Sequence, residues 1–219
     1  MCILFNGLLA WGCFPNMWEY ADMVPEHKSE DKENVENVWG ISLLCTVSEV
    51  LERCVYRHMF ILFRPSVHHL QDGFVTGRST VISLLKTTHC FAEALDSRQH
   101  IAAIFLDFSK AFDSVPASCL VKKLHSIGIR GSLLRWLHSY VMGRQHRTVI
   151  HDGQTSSWLP VWSGQPQGYI LGPLLFVIYI NDLPDVVDAN TTVQLYADDS
   201  KYYRLIFELV DQATSCKMI

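Results

Sequence analysis

Residues 193–206 read VQLYADDSKYYRLI. Apolar and aromatic residues on both sides of the two aspartates predict a strand, a tight turn and a second strand. The run IAAIFLD at 101–107 predicts another buried strand, which ends in Asp107. Adjacent carboxylates such as Asp198 and Asp199 repel each other unless a positive charge neutralises them. The three aspartates are therefore the first candidates for a functional site.

Helices are predicted between and around these strands, which favours an α+β architecture built in layers. Residues 24–38 are rich in charge and predict a linker. Val50, Leu51, Val55 and Met59 form an apolar stripe at helical spacing, with Ser48 as the predicted N-cap. Further helices are predicted over 1–14, 80–97, 116–127, 131–142 and 174–182, and a hairpin over 146–151 and 157–162.

The three aspartates suggest chemistry because acids at strand ends are seldom buried unless they are paired or bind a metal. A cluster of carboxylate oxygens suits Mg²⁺ or Mn²⁺ rather than zinc. Two such ions can clamp the attacking and leaving oxygens of a phosphoryl transfer. The alternative is that Asp198 and Asp199 are ordinary turn residues exposed to water, which an Asp-Asp pair by itself favours.

Composition limits the other possibilities. The 219 residues are 49% hydrophobic and 18% charged, which is enough apolar material for a core. No run of 18 apolar residues is present, so no membrane association is predicted. Seven scattered cysteines without a C-x-x-C pair argue against a zinc ribbon and predict a reducing, intracellular location, with nucleus and cytoplasm not distinguished. Basic residues are concentrated in 61–150, as a phosphate-rich partner would require, although charge alone favours a solvated helix face.

Three motifs then occur in a familiar order. FLDFSKAFDSV (105–115), SGQPQGYILGPLLF (163–176) and YADDSKYY (196–203) resemble the A, B and C motifs of reverse transcriptases, especially those of LINE-type non-LTR retrotransposons. QDGFVTGRST (71–80) and YINDLP (179–184) resemble further family motifs. The resemblance implies a right-hand polymerase palm and fingers with the thumb missing. Residues 1–95 would form a fingers portion truncated at its N-terminus and 96–219 the palm, together one partial domain over about 20–210.

The resemblance also implies roles for individual residues. The divalent ions, Mg²⁺ or Mn²⁺ in its place, would be held by Asp107, Asp198, Asp199 and the backbone carbonyl of Phe108. The remaining substrate contacts would come from Phe112 beneath the incoming sugar, Gln167 and Gly168 in the Pro-Gln-Gly loop, Lys110 near the triphosphate, and Arg78 near template or phosphates. The partners would be an RNA template, a DNA primer and deoxynucleoside triphosphates, while the oligomeric state is not indicated.

The sequence also departs from the family pattern where basic or small residues are usual. The departures are Glu19, Trp39, Glu49, Gln165 and Tyr169, of which Trp39 stands where an arginine would contact triphosphate and Tyr169 adds bulk near the nucleotide. The expected function is an RNA-directed DNA polymerase domain, with this chain a fragment of reduced or no activity. The alternative is an inactive retrotransposon remnant that at most binds nucleic acid; a metal-dependent phosphohydrolase has little support, because no phosphate loop is present.

Overall fold

A computed structural model describes residues 1–27, 38–150, 152–164 and 168–206. The chain divides into two compact units, each assembled from two stretches: Met1–Ser66 with Lys110–Tyr179, and Val67–Ser109 with Ile180–Ile219. These units cross the predicted boundary at residues 95 and 96. The assignment of fingers and palm to 1–95 and 96–219 therefore stays a prediction.

The first unit combines helices with a small mixed sheet. Its helices are α1 (Cys2–Trp11), α2 (Thr46–Phe63), α4 (Ala117–Ser126), α5 (Gly131–Val141) and α6 (Gly172–Ile180). Its strands are β1 (Tyr20–His27), β2 (Val38–Leu43), β4 (Gln145–Thr148) and β5 (Leu159–Pro160). The strands lie in the order β2-β1-β4-β5, with β1 and β4 parallel and the other neighbours antiparallel.

The core of this unit agrees with the predicted stripe in part. Leu51, Val55 and Met59 of α2 are buried, whereas Val50 is 39% exposed because it lies outside the line that positions 51, 55 and 59 form. The helix begins at Thr46 with Cys45 as its N-cap, and Ser48 lies inside it. The predicted N-cap at Ser48 is therefore wrong. Residues 41–43, before the helix, belong to strand β2.

Within its described residues, the second unit combines a three-stranded antiparallel sheet with one long helix. Its elements are α3 (Thr80–Asp96), β3 (His100–Asp107), β6 (Thr192–Tyr196) and β7 (Asp199–Ile206), with the strands in the order β3-β7-β6. Helix α3 packs on the sheet: the ring of Phe91 lies edge-on to that of Tyr203, with centroids 5.5 Å apart. The predicted strand 101–107 and the predicted strand-turn-strand at 193–206 are both confirmed.

Candidate functional site

The ends of strands β3 and β7 bring two predicted site residues together. In the antiparallel pairing of these strands Asp107 stands directly opposite Asp199. Directly opposed residues on antiparallel strands project from the same face of the sheet, with Cβ atoms about 4.5–5.5 Å apart. Asp107 ends β3 and Asp199 begins β7. The antiparallel register therefore makes these two residues, which are distant in the sequence, cross-strand neighbours.

The third aspartate lies in the turn that joins β6 to β7. Tyr196 pairs with Asp199, so Ala197 and Asp198 form a two-residue turn. Ala197 has φ 55°, the left-handed conformation that the first central residue of such a hairpin turn requires. Asp198 is half-buried, while Asp107 and Asp199 are exposed.

Electrostatics shows that the three carboxylates are close enough to influence one another. Burial raises the pKa of Asp198 above its ordinary value of 3.8, and a hydrogen bond from its own backbone amide lowers it. The charges of Asp199 and Asp107 both raise this pKa as well. The strand ends therefore carry a concentration of negative charge that an added cation would relieve.

The donor set suits a hard divalent cation, because it consists of carboxylate oxygens alone. A cavity of about 320 Å³ opens at these strand ends, lined among others by Asp107, Asp199, Lys201 and, from the start of α3, Thr80 and Ser83. Within the described residues, no three His, Cys, Asp or Glu side chains are arranged to hold a metal ion as they stand. The three carboxylates therefore suit a divalent cation by the chemistry of their oxygens. To bind the ion they would have to move closer together around it.

Phe108, Lys110 and Phe112 follow Asp107 along the chain. Phe108 comes directly after β3 and is 41% exposed. Lys110 is exposed and adopts φ 50°, and its carbonyl accepts the backbone amides of Asp113 and Ser114. The ring of Phe112, in the first unit, stacks on that of Phe176 in α6 with centroids 4.3 Å apart. This stacking fixes the orientation of the ring that is predicted to lie beneath the sugar.

The Pro-Gln-Gly loop is described only from Gly168 onward, and Gln165 and Gln167 lie outside the described residues. Gly168 has φ +100°, which a residue with a side chain rarely adopts. The next residue, Tyr169, is 4% exposed, and its hydroxyl accepts a hydrogen bond from Arg144 at 2.7 Å. Its bulk therefore lies in the core of the first unit.

A buried polar network that the sequence did not reveal anchors this loop. Glu52 of α2 is fully buried, and its carboxylate accepts the hydroxyl of Tyr140 at 3.1 Å and the amides of Ile170 at 3.0 Å and Leu171 at 3.4 Å. Burial raises the pKa of Glu52, whereas the charge of Arg144 lowers it. A glutamate next to an apolar stripe was the available signal, but the same pattern describes a solvated edge of a helix.

Arg78 is occupied within its own loop. Its guanidinium donates to the carbonyls of His69 at 2.7 Å and Gln71 at 2.6 Å, and lies 3.5 Å from the buried carboxylate of Asp72. Lys86 of α3 also pairs with Asp72, at 3.0 Å. These contacts give Arg78 a structural task in the loop at 71–80, and its predicted contact with template or phosphates stays a prediction.

Several basic residues of the segment 61–150 are also engaged inside the first unit. Arg144 is 3% exposed, Arg147 forms a two-pronged ion pair with Asp22, Lys123 donates to the carbonyl of Tyr179, and Arg130 donates to that of His125. These four side chains are thus held by partners within the first unit.

The fold matches solved polymerase structures. Apo telomerase from Candida tropicalis, truncated from its C-terminal domain, superposes with a TM-score of 0.63 at 11% identity, covering 97% of this chain and 51% of that chain. Telomerase from Candida albicans with a fragment of telomeric RNA gives 0.58 at 11% identity, covering 93% of this chain and 41% of that chain. The α+β elements thus form the palm and fingers fold of reverse-transcriptase-like polymerases.

Sequence comparison then gives the family. Residues 30–203 match the model of the reverse transcriptase (RNA-dependent DNA polymerase) family, and the chain belongs to this family. It is 26% identical over 209 residues to the RNA-directed DNA polymerase from mobile element jockey of Drosophila melanogaster, covering 91% of this chain and 23% of that protein. It is 30% identical over 203 residues to the probable RNA-directed DNA polymerase from transposon X-element of the same species, covering 90% and 22%. The resemblance to LINE-type retrotransposon enzymes is confirmed, and the chain spans less than a quarter of these relatives.

Reverse transcriptases use divalent metal ions, as the carboxylate donor set here would suggest.

In the described part of the chain, no helix is both long and apolar enough to cross a membrane.

Proposed function

We propose that this chain carries the nucleotidyl-transfer site of an RNA-directed DNA polymerase. The observation that carries the proposal is the cross-strand pair Asp107 and Asp199 with Asp198 in the adjoining turn. The substrates would be an RNA template, a DNA primer and a deoxynucleoside triphosphate. The primer 3′-oxygen attacks the α-phosphorus, the bond to the pyrophosphate oxygen breaks, and the hydroxyl proton passes to water.

The residues of the chain contribute charge and position. Asp107, Asp198, Asp199 and the carbonyl of Phe108 would hold two Mg²⁺ ions, with Mn²⁺ as a substitute. When bound, the ions supply charge neutralisation for the attacking and leaving oxygens. No covalent intermediate with the protein is needed, because holding the reactants in line and neutralising charge account for catalysis of this type.

The contacts in the first unit support assignments to the nucleotide. Phe112 presents a flat ring, held by Phe176, that would exclude a 2′-hydroxyl, and Gly168 allows close approach of backbone to the nucleotide. Gln167 and Lys110 are further proposed contacts to the nucleotide. Arg78 is proposed to lie near the template or phosphates. All six cysteines of the described part are free thiols, which supports an intracellular location.

Primer extension tests the proposal directly. The purified chain is given poly(rA)/oligo(dT), dTTP and Mg²⁺ or Mn²⁺, and extension is compared between wild type, Asp198→Asn and Asp152→Asn. Asp152 is an exposed aspartate outside the three motifs, so it controls for loss of one charge. We expect Asp198→Asn to reduce extension about a hundredfold or more, since metal ions contribute several kcal/mol of transition-state stabilisation. Equal extension by wild type and Asp198→Asn would overturn the proposal.

A second measurement addresses the alternative of an inactive remnant, which the departure at Trp39 favours. A ligand that binds only the folded state raises the melting temperature, so Mn²⁺ is titrated against thermal unfolding. Stabilisation that Asp107→Asn abolishes supports a metal-binding site. Salt-sensitive RNA binding without extension and without this stabilisation would instead identify the remnant.

A further inference from the structure

The loop that begins with QDGF lies against the open edge of strand β6. Residue Gln71 forms a parallel bridge with Leu195, two residues before the turn that carries Asp198. The amide of Leu195 donates to the carbonyl of Leu70 at 3.0 Å, and the amide of Asp72 donates to the carbonyl of Leu195 at 2.8 Å. The loop is thus attached to the hairpin through backbone bonds immediately beside the turn.

The side chain of Gln71 reaches from this bridge to the turn itself. It is fully buried, and its Oε1 accepts the backbone amides of Gly73 at 2.7 Å and of Ala197 at 3.0 Å. Ala197 is the first central residue of the turn, so the pairing of the two strands does not use its amide. Gln71 supplies the acceptor that this amide would otherwise lack, and a buried amide without an acceptor is costly.

Gly73 makes the approach possible. A Cβ at this position would collide with the amide nitrogen of Ala197 and would lie 2.8 Å from the carbonyl carbon of Tyr196. Only glycine lets the loop backbone lie on the turn backbone at this separation. The contact is therefore with the left-handed residue directly before the two aspartates.

The loop is itself held firmly at this point. Asp72 is 1% exposed and is paired with Lys86 and Arg78, while Arg78 also donates to the carbonyl of Gln71. The donors Lys86 and Arg78 come from outside the turn, so they can fix Gln71 without touching Asp198 or Asp199. A rigid support of this kind is what maintains a strained turn at a functional site.

We propose that Gln71 is a positioning residue for the aspartate turn, acting through the amide of Ala197, and that Gly73 provides the room for it. The role in catalysis rests on the proposed polymerase function, whereas the contact with the turn does not. Asp198 and Asp199 converge on divalent ions only when the turn keeps its conformation, and Gln71 is the side chain that fixes the turn's first residue.

Amide-resolved hydrogen exchange of the full chain tests the contact without any activity. In the wild type the Ala197 amide should be protected, and exchange at the rate of a free amide would overturn the proposal with no mutation needed. Gln71→Leu removes the acceptor at similar size and should accelerate Ala197 exchange about tenfold or more. Gln71→Glu keeps carboxyl oxygens as acceptors and should restore protection, because the side-chain nitrogen of Gln71 has no partner among the described residues.

A matched control separates this effect from general loosening of the hairpin. Thr87→Val removes another buried hydrogen bond to β6, from Thr87 to Gln194, away from the turn. It should leave Ala197 exchange within about threefold of wild type. Acceleration in Thr87→Val equal to that in Gln71→Leu would show that Ala197 reports only overall stability, and would overturn the proposal.

Primer extension then tests the positioning role. Gln71→Leu should lower kcat about tenfold with little change in KM for the nucleotide, and Gln71→Glu should recover most of the loss. Unchanged kcat in a Gln71→Leu variant that exchanges quickly at Ala197 would refute positioning while leaving the contact intact. If the wild type does not extend a primer, the proposed polymerase function fails, and the exchange result still decides whether Gln71 holds the turn.

Discussion

Replacing Glu52 tests the buried network that anchors the Pro-Gln-Gly loop. The change Glu52→Ala removes the acceptor of the Tyr140 hydroxyl and of the Ile170 and Leu171 amides, and it leaves the nearby charge of Arg144 uncompensated. The backbone just after Gly168 thereby loses its connection to helix α2. We expect a large loss of stability together with a loosened loop.

The size of the stability loss in Glu52→Ala follows from the complete burial of Glu52. Removing one member of a buried charged network costs about 3–5 kcal/mol, out of a total stability of roughly 5–15 kcal/mol for a folded domain. For a chain of this size each kcal/mol lowers the melting temperature by about 2–4 °C, so Glu52→Ala should lower it by roughly 6–20 °C. Glu49→Ala, at a half-exposed position in the first turn of the same helix, is the control and should cost far less.

The pH dependence gives the prediction a second test. Since burial raises the pKa of Glu52, the folded state binds its proton more tightly than the unfolded state does. The contribution of this carboxyl group to stability is then greatest below its ordinary value of 4.5 and falls as the pH rises through the raised pKa. Glu52→Gln carries no charge at any pH, so its stability relative to wild type should increase as the pH rises above 4.5.

Thermal and urea unfolding followed by circular dichroism between pH 4 and pH 8 would measure both effects. Melting of Glu52→Ala within about 2 °C of wild type would contradict a cost for unpaired buried donors. A stability difference between Glu52→Gln and wild type that does not change with pH would contradict a raised pKa for Glu52.

Two further predictions concern the neighbours of this network. Arg144→Lys should lower the midpoint of urea unfolding by an amount corresponding to about 2–3 kcal/mol, because one ammonium cannot replace a guanidinium that bonds the Tyr140 carbonyl and the Tyr169 hydroxyl at once; an unchanged midpoint would contradict this. Burial lowers the pKa of His146, and the charge of Arg144 lowers it further, so wild-type stability should fall as the pH drops below 6.5 towards that lowered pKa. His146→Gln should be less sensitive over this range in thermal unfolding, and an identical pH profile for both proteins would count against the burial of a neutral imidazole.

The sequence contains enough local information to predict the aspartate strands. The apolar run before Asp107 and the alternating residues around Asp198 and Asp199 have strand periodicity, and the observed β3, β6 and β7 follow it closely. Trp136 and Tyr140, on the helix predicted over 131–142, are almost fully buried. In each case the residues within one short window determine the outcome.

The sheet of the first unit was harder to predict because distant contacts form it. Strand β1 contains Pro25 and two acidic residues, so its own sequence does not indicate a strand. Its parallel pairing with β4 requires Tyr20 to meet Gln145. A strand that is stabilised mainly by a distant partner cannot be predicted from the pattern of its own residues.

Buried polar residues are the other feature that could not be predicted from the sequence. Gln71, Asp72 and Glu52 are all fully or almost fully buried, yet each residue type is usually exposed, and a pattern of polar residues predicts a solvated surface. What buries them is a set of partners from remote parts of the chain. The sequence identifies which aspartates are candidates for the site, but not the residues that support them.

The bond from Gln71 to the turn also bears on the order of folding. The two residues it joins are 126 positions apart, whereas the hairpin of β6 and β7 closes over a few residues. Local contacts form early and contacts across long loops form late, because the entropy of closing the loop must be overcome first. The aspartate turn can therefore reach its final conformation only after Gln71 has met Ala197 across this long loop, later than the hairpin that carries the turn forms.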